Sequence, residues 1–142
     1  MSQDNTVFWL KLGSGLVIAF GLLGIPGSLM PATGVNGLFV DLAFWPLDRS
    51  SGSNVPEARL LWAISGGILA GWGLMMWLLA SRLYSKEPEL VRTIILTSIG
   101  TWFVIDSTGS VLAGAPMNVV YNLGFLFLFV VPLWRKKETI TA

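Results

Sequence analysis

Apolar residues run along this chain in four long blocks, without the narrow stripes of a soluble helix or the alternation of a half-buried strand. The blocks cover residues 7–24, 57–83, 91–113 and 117–134. Each is near or beyond the length needed to cross a hydrocarbon layer, roughly 20 apolar residues for a helix. In lipid the backbone must satisfy its own hydrogen bonds, so such runs read as helices. The pattern predicts an all-α, polytopic membrane protein: one domain, residues 1–142, folded as a four-transmembrane-helix bundle.

The punctuation between blocks supports these limits. Asn5 or Thr6 is placed to cap a helix beginning at Val7, and Gly24, Pro26, Gly27 and Pro31 break it near its far end. The first block has no basic region before it, carries Lys11 inside it and lacks a small-x-small cleavage site after it, so it reads as a retained span. Lys11 is close enough to the helix start to snorkel to the headgroups. Pro56 with Glu57 opens the second helix, and Pro88 between Glu87 and Glu89 opens the third. Gly114 to Pro116 make a tight turn into the fourth.

The longest connection, residues 31–56, contains a segment too short to span. Val35, Leu38, Phe39 and Leu42 share one helical face, while Asn36 and Asp41 lie elsewhere. This predicts an outward interfacial or re-entrant helix between helices 1 and 2, anchored by Phe44 and Trp45. It can serve as a structural cap, a lid or a docking surface. Residues 48–56 read as a polar loop.

Ala63, Gly67 and Gly71 recur every four residues, a small-residue stripe that lets helices approach closely, either within the bundle or between copies. With four spans both termini lie on one side. That side collects Arg82, Lys86, Arg92, Arg135, Lys136 and Lys137, against Arg49 and Arg59 opposite. The positive-inside rule then puts both termini in the cytoplasm of a cell with the chain in its inner membrane. Trp9, Tyr84 and Trp134 mark the inner interface, and Trp45 and Trp62 the outer one.

Composition narrows the chemistry. The chain is 54% hydrophobic and 12% charged, with a mean hydropathy of +0.70, where soluble domains carry about 25% charged residues. It has no Cys and no His. That removes disulfides, thiolate nucleophiles, the usual haem and zinc ligands and the usual general base. No metal or cofactor is expected. A net charge of +1 gives no footprint for nucleic acid. Gly66-Gly67 lacks the Lys-Ser/Thr of a phosphate loop. The seven Trp and eight Phe can stack on a pigment, quinone or sterol, although bilayer anchoring is the ordinary use of such residues.

One residue breaks the apolar pattern. Asp106 lies inside the third block, about seven residues from its outer end, or roughly 10 Å deep at 1.5 Å per residue. A carboxylate there is costly and marks a candidate site. Arg59 on the antiparallel second helix is near enough in level to pair with it. Asn118 and Asn122, one turn apart on the fourth helix, can donate to it, and Ser110 shares its face. This polar cluster reads equally as a helix clamp or as a ligand or proton site.

The segment from Arg59 through Gly66-Gly67 and Gly71-x-Gly73 to residues 106–116 (DSTGSVLAGAP) resembles small bacterial four-helix membrane proteins of the broad DoxX-like type. The resemblance covers the last three spans. It implies a compact bundle in the inner membrane and an association with quinone-linked redox complexes, and it supplies no catalytic set. The reading is a non-enzymatic membrane protein, an accessory or scaffold subunit of a larger complex or homo-oligomer, or a binder of a hydrophobic small molecule. A small proton- or cation-coupled transporter using Asp106, and a membrane enzyme acting on a lipid-like substrate, remain open alternatives.

Overall fold

The computed structural model describes residues 2–30, 34–46 and 55–134, and these are helical almost throughout. The elements are α1 (Gln3–Leu22), α2 (Gly24–Leu29), α3 (Gly34–Phe44), α4 (Pro56–Leu78), α5 (Pro88–Leu112) and α6 (Met117–Leu133). A π-helical turn, Leu79–Leu83, ends α4. Three elements are long and apolar enough to cross a membrane: Gln3–Leu29, Pro56–Leu83 and Pro88–Leu112. Arg49, Arg135, Lys136 and Lys137, and most of the polar loop 48–56, lie outside the described residues.

The first helix starts earlier than expected. Ser2, and not Asn5 or Thr6, is its cap: Asn5 N–H donates to Ser2 Oγ at 3.3 Å, and Thr6 Oγ1 donates to the Ser2 carbonyl at 3.1 Å. It ends at Leu22 for a covalent reason. Pro26 has no N–H to give the Leu22 carbonyl, and its ring crowds that position. The chain steps through Leu23 and resumes as α2. Pro56 and Pro88 each occupy the first turn of their helices, with Glu57 and Glu89 beside them. Within the spans, hydroxyls are satisfied on their own helix: Ser14 donates to the Leu10 carbonyl at 2.7 Å and Thr101 to that of Thr97 at 2.9 Å.

The tightest seam joins α1 and α2 to α4. Antiparallel packing sets Ser14 against Gly73 and Gly21 against Gly66. A Cβ added at Gly66 would lie 2.6 Å from Gly24 Cα, and one added at Gly73 would lie 3.0 Å from the Ser14 carbonyl oxygen. The predicted stripe is therefore displaced. Ala63, Gly67 and Gly71 are exposed, and a Cβ at Gly67 or Gly71 would meet nothing within 4 Å. The seam runs through Gly66 and Gly73, seven residues apart, because that spacing matches Ser14 and Gly21 on the partner helix over two turns.

The buried core lies toward the end of the bundle that carries Gln3, Leu83, Pro88 and Leu133. Leu10, Met76, Ala80, Val91, Ile95, Phe129 and Leu133 are buried together. Phe129 fills the notch that Gly13 leaves on α1: a Cβ at Gly13 would be 3.1 Å from its ring. Arg92 Nε donates to the Leu133 carbonyl at 2.8 Å, a cation on the negative end of α6. Lys11 lies over the Trp77 ring at 4.8 Å.

The helix predicted inside residues 31–56 is α3. Its apolar Val35 and Leu38 point away from the protein, while Asn36 and Asp41 are buried. That is the orientation for a helix whose surroundings are less polar than its neighbours. Phe39 turns inward from the predicted apolar face and packs its ring 4.5 Å from that of Phe20.

Candidate functional site

At the opposite end, the helices that share this core separate into two pairs. Gly21, Gly24 and Gly66 hold α1 and α2 against α4. α5 and α6 are joined by a short turn in which Gly114 takes a φ of +79°, a conformation suited to glycine. Between the pairs lies a cavity of about 390 Å³. Val17 and Ile99, which also belong to the core, form its floor.

The walls are largely aromatic. Phe39, Phe20, Phe125, Trp102 and Trp72 form a continuous chain of rings, with successive centroids 4.5, 5.6, 6.3 and 5.9 Å apart. Trp72 is fixed by its indole N–H, which donates to Ser98 Oγ at 3.0 Å. Trp62 and Tyr121 complete the lining. Three of the seven Trp residues thus face this cavity, including Trp62, which the sequence places at the outer membrane interface.

The polar end of the cavity is built around Asp106. Its Oδ1 accepts from Asn122 Nδ2 at 2.8 Å, Asn118 Nδ2 at 2.9 Å and Ser110 Oγ at 3.2 Å. Asn118 Nδ2 also donates to Ser110 Oγ at 2.8 Å. The helical period explains this convergence: Asp106 and Ser110 are one turn apart on α5, as are Asn118 and Asn122 on α6, and the turn between brings the two faces together. Among the described residues Asp106 Oδ2 has no hydrogen-bond partner, and it is not one of the fully buried polar atoms without partners. Asp106 is itself a lining residue of the cavity.

Arg59 does not join this cluster. Its Nε donates to the Ser28 carbonyl at 2.7 Å, the residue is exposed, and among the described residues the ion pair is Arg92 with Glu89, not Arg59 with Asp106. The expected pair fails because of lateral placement, not depth. α4 packs on α1 and α2, and its backbone hardly approaches α5. Arg59 instead ties α4 to the end of α2, where a helix has carbonyls to spare.

The same separation opens the cavity sideways. Leu61 and Ser65 line it and are also exposed, so the mouth lies along α4. Sequence reasoning missed Phe20, Phe39, Trp72, Trp102 and Phe125 as wall residues. One signal was present: Trp102 stands one turn from Asp106 on α5, so the same face that carries the carboxylate also carries a ring.

Among the described residues no three His, Cys, Asp or Glu side chains come together as a metal site. Chemically the arrangement offers a largely apolar, ring-lined volume with one hydrogen-bonded carboxyl group at its end. No protein-family model, curated protein or solved structure matches the chain.

Proposed function

We propose that the chain is a multi-pass protein of the bacterial inner membrane that holds a hydrophobic small molecule, taken from the bilayer, in the cavity between its helix pairs. In this reading α6 is the fourth span. Its 17 residues rise about 26 Å at 1.5 Å each, close to the hydrocarbon thickness of a bilayer. α3 is then an interfacial helix with Val35 and Leu38 toward lipid. The basic residues Arg82, Lys86 and Arg92, with those at 135–137, favour a threading with both termini in the cytoplasm, in which the cavity opens toward the outer leaflet. The role is that of a binding or accessory subunit, as the DoxX-like resemblance implies.

The observation that carries the reading is the cavity itself. At one end Leu10, Met76, Ile95 and Phe129 share a buried core, and at the other about 390 Å³ lies between the helix pairs, walled largely by aromatic rings. Ligand pockets of roughly 300–1,000 Å³, mostly apolar with a few polar groups, are the usual form of a small-molecule site. The exposed Leu61 and Ser65 at its mouth give a lipid-dissolved molecule a lateral way in.

Solvent extraction of the protein purified in mild detergent tests this. A small organic molecule is expected at near one per chain from the wild type, and depleted from Ser65→Phe, which fills the mouth, with unchanged thermal unfolding. Identical extracts containing only phospholipid would overturn the proposal. The transport alternative draws on one observation, the Oδ2 of Asp106 without a donor among the described residues. It requires ligand or proton flux into liposomes that Asp106→Asn abolishes.

A further inference from the structure

We infer that the molecule held in this cavity is a small hydrophobic cation, an amine or quaternary ammonium with an apolar body, bound by Asp106 and the aromatic wall. This rests on the cavity being a ligand site, as proposed above, and adds the charge of the ligand.

The first argument is charge balance. Among the described residues Asp106 is the one carboxyl or basic side chain in the cavity wall; the others are apolar or neutral polar. Its hydrogen-bond donors are the amides of Asn118 and Asn122 and the hydroxyl of Ser110, all neutral. Arg59, the cation that sequence level suggests, is bonded to the Ser28 carbonyl instead. Ionisable groups inside membranes ordinarily pair with one another. Among the described residues the protein supplies orientation without a counter-charge.

The second argument is geometry. Oδ1 takes the three donors from α5 and α6, which pins the carboxyl group and leaves Oδ2, on a residue that lines the cavity, without a donor among the described residues. Trp102 lies one turn away on the same helix face, and Tyr121 is next in sequence to Asn122. Aromatic faces attract cations within about 6 Å of the ring centroid, and caged aromatic residues are a recurrent way of holding quaternary ammonium groups. A bare metal ion fits poorly, since hard cations require about six or more oxygen ligands and this wall is mostly rings. A neutral hydrogen-bond donor would satisfy Oδ2 and leave the charge uncompensated.

The test compares a cation with its neutral isostere. Benzyltrimethylammonium and neopentylbenzene have nearly the same shape and differ in charge. Binding of each is measured by tryptophan quenching in nanodiscs of zwitterionic lipid, with empty nanodiscs subtracted. The cation is expected to bind about tenfold or more tightly than the isostere. Asp106→Asn is expected to remove that preference, weakening the cation about tenfold or more relative to neopentylbenzene. Trp102→Leu should weaken the cation more than the isostere. Equal binding of both probes to the wild type would overturn the cation inference while leaving the ligand cavity intact. Binding of neither would overturn both. The wild-type ratio decides the matter even if Asp106→Asn does not fold.

Discussion

The two ends of this bundle use the same kind of residue to opposite effect. At one end Phe129 enters the Gly13 notch and is fully buried, with Leu10, Met76 and Ile95 around it. At the other end Phe20, Phe125 and Trp102 stand ring to ring and leave space in front of them. The difference lies in what brings the helices together. Where a large side chain meets a glycine notch on another helix pair, all the helices close. Where glycine meets glycine within one pair, and a carboxylate meets amides within the other, each pair closes on itself and the space between stays open. Lipid offers no hydrophobic force to collapse that space, because association in membranes rests on packing contacts and hydrogen bonds.

The largest expected effect comes from truncating one ring at each end. Phe129→Ala should cost about 3–5 kcal/mol, the range for emptying a tightly packed aromatic site. Phe125→Ala widens a void that already exists, so it should cost about 1 kcal/mol or less by the same cavity reasoning and should weaken ligand binding instead. Unfolding in mixed micelles of mild and denaturing detergent measures both. Equal losses at the two positions would erase the distinction between the ends.

Next in size is the glycine seam. Gly66→Ala places a methyl 2.6 Å from Gly24 Cα, and such overpacking against backbone costs about 1–3 kcal/mol. Gly67→Ala points into open space and should be neutral or stabilising by up to about 1 kcal/mol through helix propensity. Neighbouring residues with opposite outcomes in the same unfolding assay would fix the face of α4. If Gly67→Ala proved the more damaging, the seam would run through the Ala63, Gly67 and Gly71 stripe after all.

What the chain revealed in advance depended on how local each feature was. Pro56, Pro88 and their acidic neighbours set helix starts directly, through a missing N–H and the helix dipole. Asp106, Ser110, Asn118 and Asn122 were legible as a cluster because a short turn joins their two helices, so the period alone decides which side chains meet. The facing of α4 was not legible. It is apolar around its circumference, and Gly66 and Gly67 are equally small, so only the matching spacing of Ser14 and Gly21 on α1 distinguishes them. The cavity was hidden for the same reason: rings that line it and rings that anchor in lipid look alike when no polar face marks the outside.

The smallest expected effect bears on the residue where depth was a poor guide. Sequence level suggests Arg59 as a partner for Asp106, yet the α4 and α5 backbones hardly approach one another, and Arg59 is bonded to Ser28 at 2.7 Å. A double-mutant cycle of Arg59→Gln with Asp106→Asn should therefore give a coupling energy within about 0.5 kcal/mol of zero, as for separated sites. Arg59→Gln alone should lose about 0.5–1.5 kcal/mol with its hydrogen bond. The parallel cycle of Asn122→Ala with Asp106→Asn should couple by about 0.5–3 kcal/mol, because those residues share a network. A strong first coupling with a weak second would mean that Asp106 is paired with Arg59 in the bilayer. The cavity would then already hold its counter-charge, and a cationic ligand would have nothing left to neutralise.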